Sequence, residues 1–358
     1  MLGHLFFSEG KPGTQSFGLL FKLYDKNILN SDKLNQQYSE QGEWDKGFSD
    51  HYKLHLKVLV DEFEKERVAA ASLARRKLLW LTPLFVVVPI MGWKLLVWEF
   101  NRSDDFEGIG FYFLILSFGA MFWFIKKSIV TYQSSIKNKI FPRIMSFFGD
   151  FAFTAEVADK VGFFKDSGLI PSYSIENSED YITGEYGGVK IELFETHLQK
   201  RRTGKNRRRV TVFNGLIIKL SMNKKFNGKT LVKQDKGSVG NWFSTRSTKL
   251  ANVKLEDPKF ENLFEVYSSD QIEARYLLTV SFMERLLELA EIFENSKIEL
   301  CFENENLIIK IPLRKPIFEP GPITEPEDFI DDAQSLLKEM HLIFQIIETL
   351  KLNMKLNL

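Results

Sequence analysis

LLWLTPLFVVVPIMGW, from Leu78 to Trp93, is a run of sixteen residues without a charge, and if Lys94 snorkels the apolar stretch continues through Leu95, Leu96, Val97 and Trp98 to twenty-one. A hydrocarbon core of roughly 30 Å calls for about 20 apolar residues in a helix, so this length predicts a membrane span over 78–98. A second block, GIGFYFLILSFGAMFWFI from Gly108 to Ile125, adds eighteen uncharged residues and predicts a second span over 108–125. Pro83 and Pro89 are costly in a water-exposed helix but are tolerated in membrane helices, where neighbours satisfy the freed carbonyls. Trp80, Trp93, Trp98 and Trp123 fall in these blocks, mostly near their ends, and with Lys94 they form the expected set of interfacial anchors. A buried hairpin of a soluble helical core can encode similar runs, but the flanking charge argues against it. Arg75, Arg76 and Lys77 precede the first block and Lys126 and Lys127 follow the second, while the short external loop 99–107 holds Glu99, Asp104, Asp105 and Glu107 against Arg102. The positive-inside bias then predicts a multi-pass chain with both termini cytoplasmic. Because polar sequence precedes the first block, no cleavable signal peptide is expected there.

Outward from the hairpin the chain reads as an α+β protein. Residues 1–49, glycines among phenylalanines and polar residues, show no sustained period and read as a loosely structured arm. Over 50–77 a helical stripe of Leu56, Leu59, Val60 and Phe63, with Asp61, Glu64, Lys65 and Arg67 off it, predicts a cytoplasmic stalk helix from His51 to Leu73 that runs into the first span. A matching helix over 126–150 uses Ile129, Ile136, Ile140 and Ile144. The stripes predict packing of the two stalk helices on each other, or a homo-oligomeric coiled coil. From 151 to 314 the period becomes alternating, with candidate strands at 181–186, 189–196, 209–213, 216–221, 229–233, 297–302 and 307–311. Gly187-Gly188 and Asn227-Gly228 read as hairpin turns, and Asn304 as the turn of the last pair. A helix over 282–294 is expected to begin at a capping box of Ser281 and Glu284. Residues 315–358 form an acidic linker and a terminal helix that buries Phe329, Leu336, Leu337, Leu342, Ile343 and Ile346. The expectation is a two-span hairpin with a helical stalk, carrying an antiparallel sheet covered by helices.

Several segments of this part resemble a known family. EDYITGEYGGVKIELFET (Glu179–Thr196), VFNGLIIKL (Val212–Leu220) and FENLFEVYSSDQIEARYLLTVSFMERLLEL (Phe260–Leu289), in the order helix, two spans, helix, strands, terminal helix, resemble the uncharacterised bacterial family called domain of unknown function 3137, over roughly residues 50–358. Val280 stands where that pattern carries proline. The resemblance implies a protein of the bacterial inner (plasma) membrane; it implies no activity, cofactor or catalytic residue.

Composition bounds the chemistry. With 358 residues, 44% apolar and 27% charged, the chain is ordinary for a folded protein, and its single cysteine, Cys301, excludes internal disulfides and a four-cysteine zinc site. The net charge of +1 hides a separation of sign. Residues 200–249 hold fifteen Lys and Arg against the one acid Asp235, net +14, which leaves the remainder at −13. The densest part is the expected hairpin loop KRRTGKNRRR, with Lys200, Arg201, Arg202, Lys205, Arg207, Arg208 and Arg209. Four readings stand side by side: a merely solvated loop; a contact for anionic phospholipid head groups, at about 1 kcal/mol for each cation near the surface; a phosphate contact for RNA or DNA, with Phe213, Phe226, Trp242 and Phe243 as the aromatic candidates; and pairing with the acidic segment Glu319–Asp332 of the same or another chain.

Enzyme signatures fail at their spacing. Gly228-Lys229-Thr230 lacks the upstream glycine of a phosphate loop, having Asn223 there. His51 and His55 share a helix face, but Tyr52 occupies the place of the glutamate of a zinc protease motif, so no metal is expected. Cys301 in IELCF reads as a buried small hydrophobe. Glu185, Glu192 and Glu195 make no acid/base pair, since alternation puts Glu192 and Glu195 on different faces, and Asp270, Glu273 and Arg275 read as caps or buried ion pairs. The expectation is a membrane-anchored interaction or scaffold module with the bilayer, anionic head groups, and a protein partner or its own copies as partners. Nucleic acid binding, a phosphate-handling or hydrolytic enzyme, and an oligomeric pore are the alternatives. An enzyme would need a concave polar site in the strand domain.

Overall fold

The computed structural model describes residues 22–25, 29, 37–100, 107–201, 208–222, 225–234, 250–293, 297–313, 316–326 and 328–350. Within them the chain divides into two compact units, one from residues up to 144 together with 319–335, the other from 145–318 together with residues from 336 onward.

The first unit is helical: α1 (Phe48–His55), α2 (Lys57–Phe100), α3 (Glu107–Lys139) and α4 (Phe141–Met145). The helix expected from His51 to Leu73 is interrupted at Leu56, between α1 and α2. Leu56, Val60, Phe63, Ala71, Ala74 and Leu78 are buried, as are Ile125, Ile129, Ile136, Ile140 and Ile144, so both isoleucine and leucine stripes face protein as their helical spacing requires. Glu66 of α2 ties the two long helices by accepting from Ser135 Oγ at 3.0 Å and Lys139 Nζ at 3.1 Å.

Two charges placed off the stripe by periodicity are inside it. Arg67 is fully buried and Glu64 is 5% exposed, in a bidentate pair with Nε–Oε2 at 2.7 Å and an Nη–Oε1 contact of 2.6 Å. The third guanidinium nitrogen, Nη1, donates to the Ile323 carbonyl at 3.1 Å. The reason is tertiary: residues 319–335 lie over α1 and α2, so that face is covered. Tyr52 donates to the Asp328 carbonyl, Phe329 meets the Phe63 ring edge-on, and Glu319 and Glu325 pair with Lys137 and Lys22. Two acids of the linker, Glu319 and Glu325, are thus engaged by lysines of the helical unit. Within the stretch read as a loose arm, Asp45 is buried and accepts from Tyr38 Oη and from the backbone amides of Gln41 and Gly42.

The second unit is built on one antiparallel sheet: β1 (Ala152–Val157), β2 (Ile175–Tyr186), β3 (Val189–Arg201), β4 (Arg209–Ser221), β5 (Thr230–Gln234), β6 (Ala251–Val253), β7 (Phe264–Ser268), β8 (Glu299–Glu303) and β9 (Asn306–Pro312), in the order β1-β2-β3-β4-β9-β8-β5-β7-β6. The architecture is therefore α+β with a large antiparallel sheet. Gly187 and Gly188 both take positive φ, as a two-residue hairpin turn requires, and Asn304 does so at the β8–β9 turn.

Three expectations are corrected. The strands 209–213 and 216–221 are one strand, β4, because Gly215 does not end it. A Cβ at Gly215 would sit 2.1 Å from the Ile311 carbonyl oxygen, so the glycine admits the close approach of β9. Asn227-Gly228 is not a hairpin turn, since β4 pairs with β3 and β9 and β5 with β7 and β8; both amides donate instead to the carboxylate of Glu273, at 2.9 and 2.8 Å. The helix expected at 282–294 is α7 (Val280–Ile292), capped by Thr279 Oγ1 on the Phe282 amide rather than by Ser281. This puts Val280 at the first helical position, where proline loses nothing by lacking an N–H. Upstream are α5 (Pro258–Leu263) and α6 (Gln271–Leu277), whose N-cap is Asp270.

Alternation along β3 and β4 sends Ile191, Leu193, Ile218 and Leu220 to one face, with Phe302 and Ile309 alongside, all buried. Here α7 packs Phe282 against Phe302, and α8 (Ile330–Thr349) stacks Phe344 on Tyr186 with centroids 4.1 Å apart. The opposite face carries Phe194, Leu198, Phe213, Ile217, Leu231, Cys301 and Ile308, closed by Val161, Phe164, Leu169 and Ile170 from a 3₁₀ helix (Val161–Ser167) and its exit. Both faces of the central strands are covered, which is why they read as nearly continuous apolar runs.

Candidate functional site

The helix α2 runs unbroken through Pro83 and Pro89. Among the described residues one helix, Lys57–Lys94, is long and apolar enough to cross a bilayer, and 6% of its apolar window is buried. Trp80 is 77% exposed, and Leu79, Leu84, Val87, Val88, Ile90 and Met91 are exposed beside it. Of the other expected anchors, Trp93 is half-buried, Lys94 and Trp123 are exposed, and the Trp98 side chain lies outside the described residues. The second apolar block lies on α3, where Leu116 is exposed. Residues 101–106 of the expected external loop are outside the described residues.

Where the apolar part of these helices meets their charged part, α2 and α3 leave a cleft of about 670 Å³. Its lining includes Lys77 and Trp123, nearest the apolar blocks along their helices, Leu73 and Lys127 one turn farther, and Glu66 farther still along α2. Ala69 and Ala70 also line it from α2.

The basic hairpin is partly described. Lys200, Arg201, Arg208 and Arg209 are exposed at the ends of β3 and β4, where Lys200 pairs with Val210 and Arg201 with Arg209 across the ladder. Arg202, Lys205 and Arg207 lie outside the described residues, as do Trp242 and Phe243. Among the described residues no carboxylate lies within ion-pair distance of these four cations. Antiparallel pairing of like charges at Arg201 and Arg209 is unfavourable without a counter-ion, so this strand end concentrates positive field.

Two polar arrangements on the sheet were not legible in spacing. Lys229 and Lys233, just before and within β5, and Lys310 of β9 reach to the carbonyls of Asp166, Gly168 and Leu169, and so close the C-terminal end of the 3₁₀ helix. Glu303 and Glu299 pair with Lys229 and Lys310, and burial pulls the Lys233 ammonium below its ordinary pKa. This use of Lys229 also removes it from any phosphate loop. Beside the β2–β3 turn lies a polar cleft of about 740 Å³ lined by Glu185, Lys190, Glu192 and Lys219. Glu192 accepts from Tyr181 Oη at 3.0 Å and Lys219 Nζ at 3.2 Å, whereas Glu195, on the other face, takes the amides of Ile317 and Phe318.

The remaining candidates have structural employment. His51 Nε2 donates to the Arg143 carbonyl at 2.8 Å, and burial lowers its pKa. Cys301 is buried, and burial pushes its thiol up to about 12, far from a nucleophile at neutral pH.

The family model described as "Protein of unknown function (DUF3137)" matches residues 211–352. The match takes in two of the three segments that carry the resemblance, Val212–Leu220 and Phe260–Leu289, while Glu179–Thr196 precedes it. No curated protein matches the chain. A solved structure, the crystal structure of the mycobacterial trehalose monomycolate transport factor A, TtfA, is similar at 12% identity over 58% of this chain and 91% of that one, with a TM-score of 0.31. A likeness that distant carries no argument here.

Proposed function

We propose, from a chain whose residues 211–352 resemble a family without an assigned activity, an interaction module anchored in the bacterial inner membrane. In this reading 78–98 and 108–125 both span the bilayer, the termini are cytoplasmic, and the basic hairpin end docks the sheet unit on anionic head groups. The observation that carries it is the long run of exposed apolar side chains on α2, ended on one side by Arg75, Arg76 and Lys77. Leaving such a surface in water costs about 25 cal/mol for each Å² of apolar area, whereas hydrocarbon accepts it without penalty. The positive flanks fix the orientation, and the exposed cations of the hairpin end supply the second contact.

The docking test uses the full chain in lipid nanodiscs. Because Cys301 is buried with a raised thiol pKa, a Thr211→Cys variant, exposed on β4 beside the basic strand end, takes a fluorophore selectively there. Quenching by spin-labelled lipid is expected in discs containing phosphatidylglycerol, weaker as salt is raised, and absent in phosphatidylcholine discs. Equal quenching in both, or none in either, overturns docking; loss of quenching on adding RNA at low concentration makes nucleic acid the ligand. A second reading, a membrane-tethered phosphate-handling or hydrolytic enzyme, draws on the polar cleft at Glu185, Lys190, Glu192 and Lys219. Phosphatase and esterase turnover that is lost in Glu192→Gln decides for it.

A further inference from the structure

The 3₁₀ helix Val161–Ser167 turns an aromatic ring outward. Side chains three apart eclipse in a 3₁₀ helix, and Val161, Phe164 and Ser167 form the buried stripe that this period requires. Position 163 lies off the stripe, with Gly162, Lys165 and Asp166, all of them exposed. It nevertheless carries phenylalanine, 83% exposed, and no large apolar side chain among the described residues is more exposed. The segment behind it is pinned. The Val161 amide donates to Glu176 Oε1 at 3.0 Å, the Phe164 and Phe194 rings meet with centroids 5.6 Å apart, and Lys229, Lys233 and Lys310 hold the carbonyls at the far end. A single exposed ring is ordinary by itself, so its meaning depends on what surrounds it.

What surrounds it is the basic strand end. Lys165, two residues on, places its ammonium 5.1 Å from the centre of the Tyr173 ring. The next residue, Ser174, donates its amide to the Gln199 carbonyl at 2.8 Å and accepts the Arg201 amide on Oγ at 3.4 Å. At the helix start, Glu176 faces Leu198 across the ladder, two residues before Lys200. Asp159 and Asp166 offset Lys160 and Lys165, and Glu176 is taken by the Val161 amide and the Tyr173 and Ser178 hydroxyls. The surplus of positive charge at this end is therefore that of Lys200, Arg201, Arg208 and Arg209. An exposed aromatic beside cations has both components of an interfacial lipid contact, apolar surface for the acyl boundary and charge for the phosphates. In the proposed reading the hairpin tethers this unit beneath an anionic leaflet, which is then the partner at highest effective concentration.

We infer that Phe163 is the apolar half of the docking contact, its ring entering the boundary between head groups and acyl chains of an anionic bilayer while the cations of β3 and β4 lie on the lipid phosphates. The inference rests on the docking reading and extends that contact from the strand end to the 3₁₀ helix.

The test uses the full chain in lipid nanodiscs, with a fluorophore at Phe163→Cys and, in a separate chain, at Thr211→Cys. Spin labels are carried on the lipid head group or high on the acyl chain. In phosphatidylglycerol discs the fluorophore at 163 is expected to be quenched from the acyl position and shielded from aqueous iodide, and that at 211 to be quenched from the head group. In the Thr211→Cys chain, Phe163→Ala is expected to lower the ratio of docked to free unit about tenfold, whereas Phe163→Trp keeps it. The unfolding midpoint is expected to stay in place in both, since the side chain lies off the buried stripe. Quenching at 211 with none at 163, or a ratio untouched by Phe163→Ala, overturns the aromatic contact and leaves the docking reading standing. Quenching at neither position defeats the docking reading beneath it. A fluorophore at 163 that iodide does not reach and neither lipid label quenches makes protein its cover, and overturns the bilayer as the partner.

Discussion

Val87 and Val88 of α2 are 48% and 55% exposed, while Val232 of β5 and Val266 of β7 are 0% and 2% exposed. The residue type is the same and its surroundings are opposite. In the sheet unit the apolar residues of the central strands are largely buried within the chain, so the hydrophobic term is discharged there. Along the upper part of α2 no described residue covers Val87 and Val88 in that way. Apolar composition thus states how much surface must leave water and is silent on what replaces the water; in the proposed reading the replacement is lipid.

The largest expected effect lies on the sheet side of this contrast. Phe302→Ala removes a buried ring that meets both Phe226 and Phe282, and a loss of about 3–5 kcal/mol is expected, read as a lowered unfolding midpoint in detergent. Trp80→Ala, equally large but on the exposed face, is expected to leave that midpoint in place. A matching drop in both variants breaks the comparison, because it would mean Trp80 packs on protein.

Next in size is a charge on the exposed face. Val87→Arg is expected to disfavour membrane insertion by about 2.5–3.5 kcal/mol and to move the chain into the carbonate-extractable fraction. An unchanged fraction places the face in water. Gly215→Ala tests how tightly the sheet is built: with a Cβ directed at the Ile311 carbonyl, about 1–3 kcal/mol of stability is expected to go, and a neutral outcome means β9 can shift without cost.

The smallest effect is a slope. Burial, then the neighbouring charges of Asp331 and Asp328, push the Asp332 carboxyl from its ordinary 3.8 up to about 7, against the hydrogen bond from the Gly321 amide, which lowers it. Between those values the folded state binds the proton and the unfolded state has released it, so stability falls as pH rises, by at most about 1.4 kcal/mol per pH unit. The unfolding midpoint is expected to decline from pH 5 to about pH 7, and Asp332→Asn, which keeps the acceptor and loses the titration, is expected to flatten that decline. An identical slope in the variant assigns it to another group.

Sequence pattern reached the local features. The Gly187-Gly188 and Asn304 turns, the isoleucine stripe of α3 and the buried face of α8 follow from periods and turn chemistry that neighbouring residues impose on one another. It failed where two distant segments meet. β1, β6 and β7 are short and carry no turn signal that distinguishes them from loops. Gly215 reads as a break because the carbonyl that explains it belongs to β9, far along the chain. Lys229, Lys233 and Lys310 look like scattered surface cations until the 3₁₀ helix is laid over them.

The sequence by itself determined the α+β class, the long helices, the apolar length of α2 and the separation of charge, since each depends on residue type and short-range spacing. Only the tertiary structure decided the order of the strands, the burial of Glu64 and Arg67 beneath the 319–335 segment, and the cleft between α2 and α3. Those outcomes depend on which surfaces of remote segments come together, and a charge that is solvated on an isolated helix must find a partner once another part of the chain excludes the water from it.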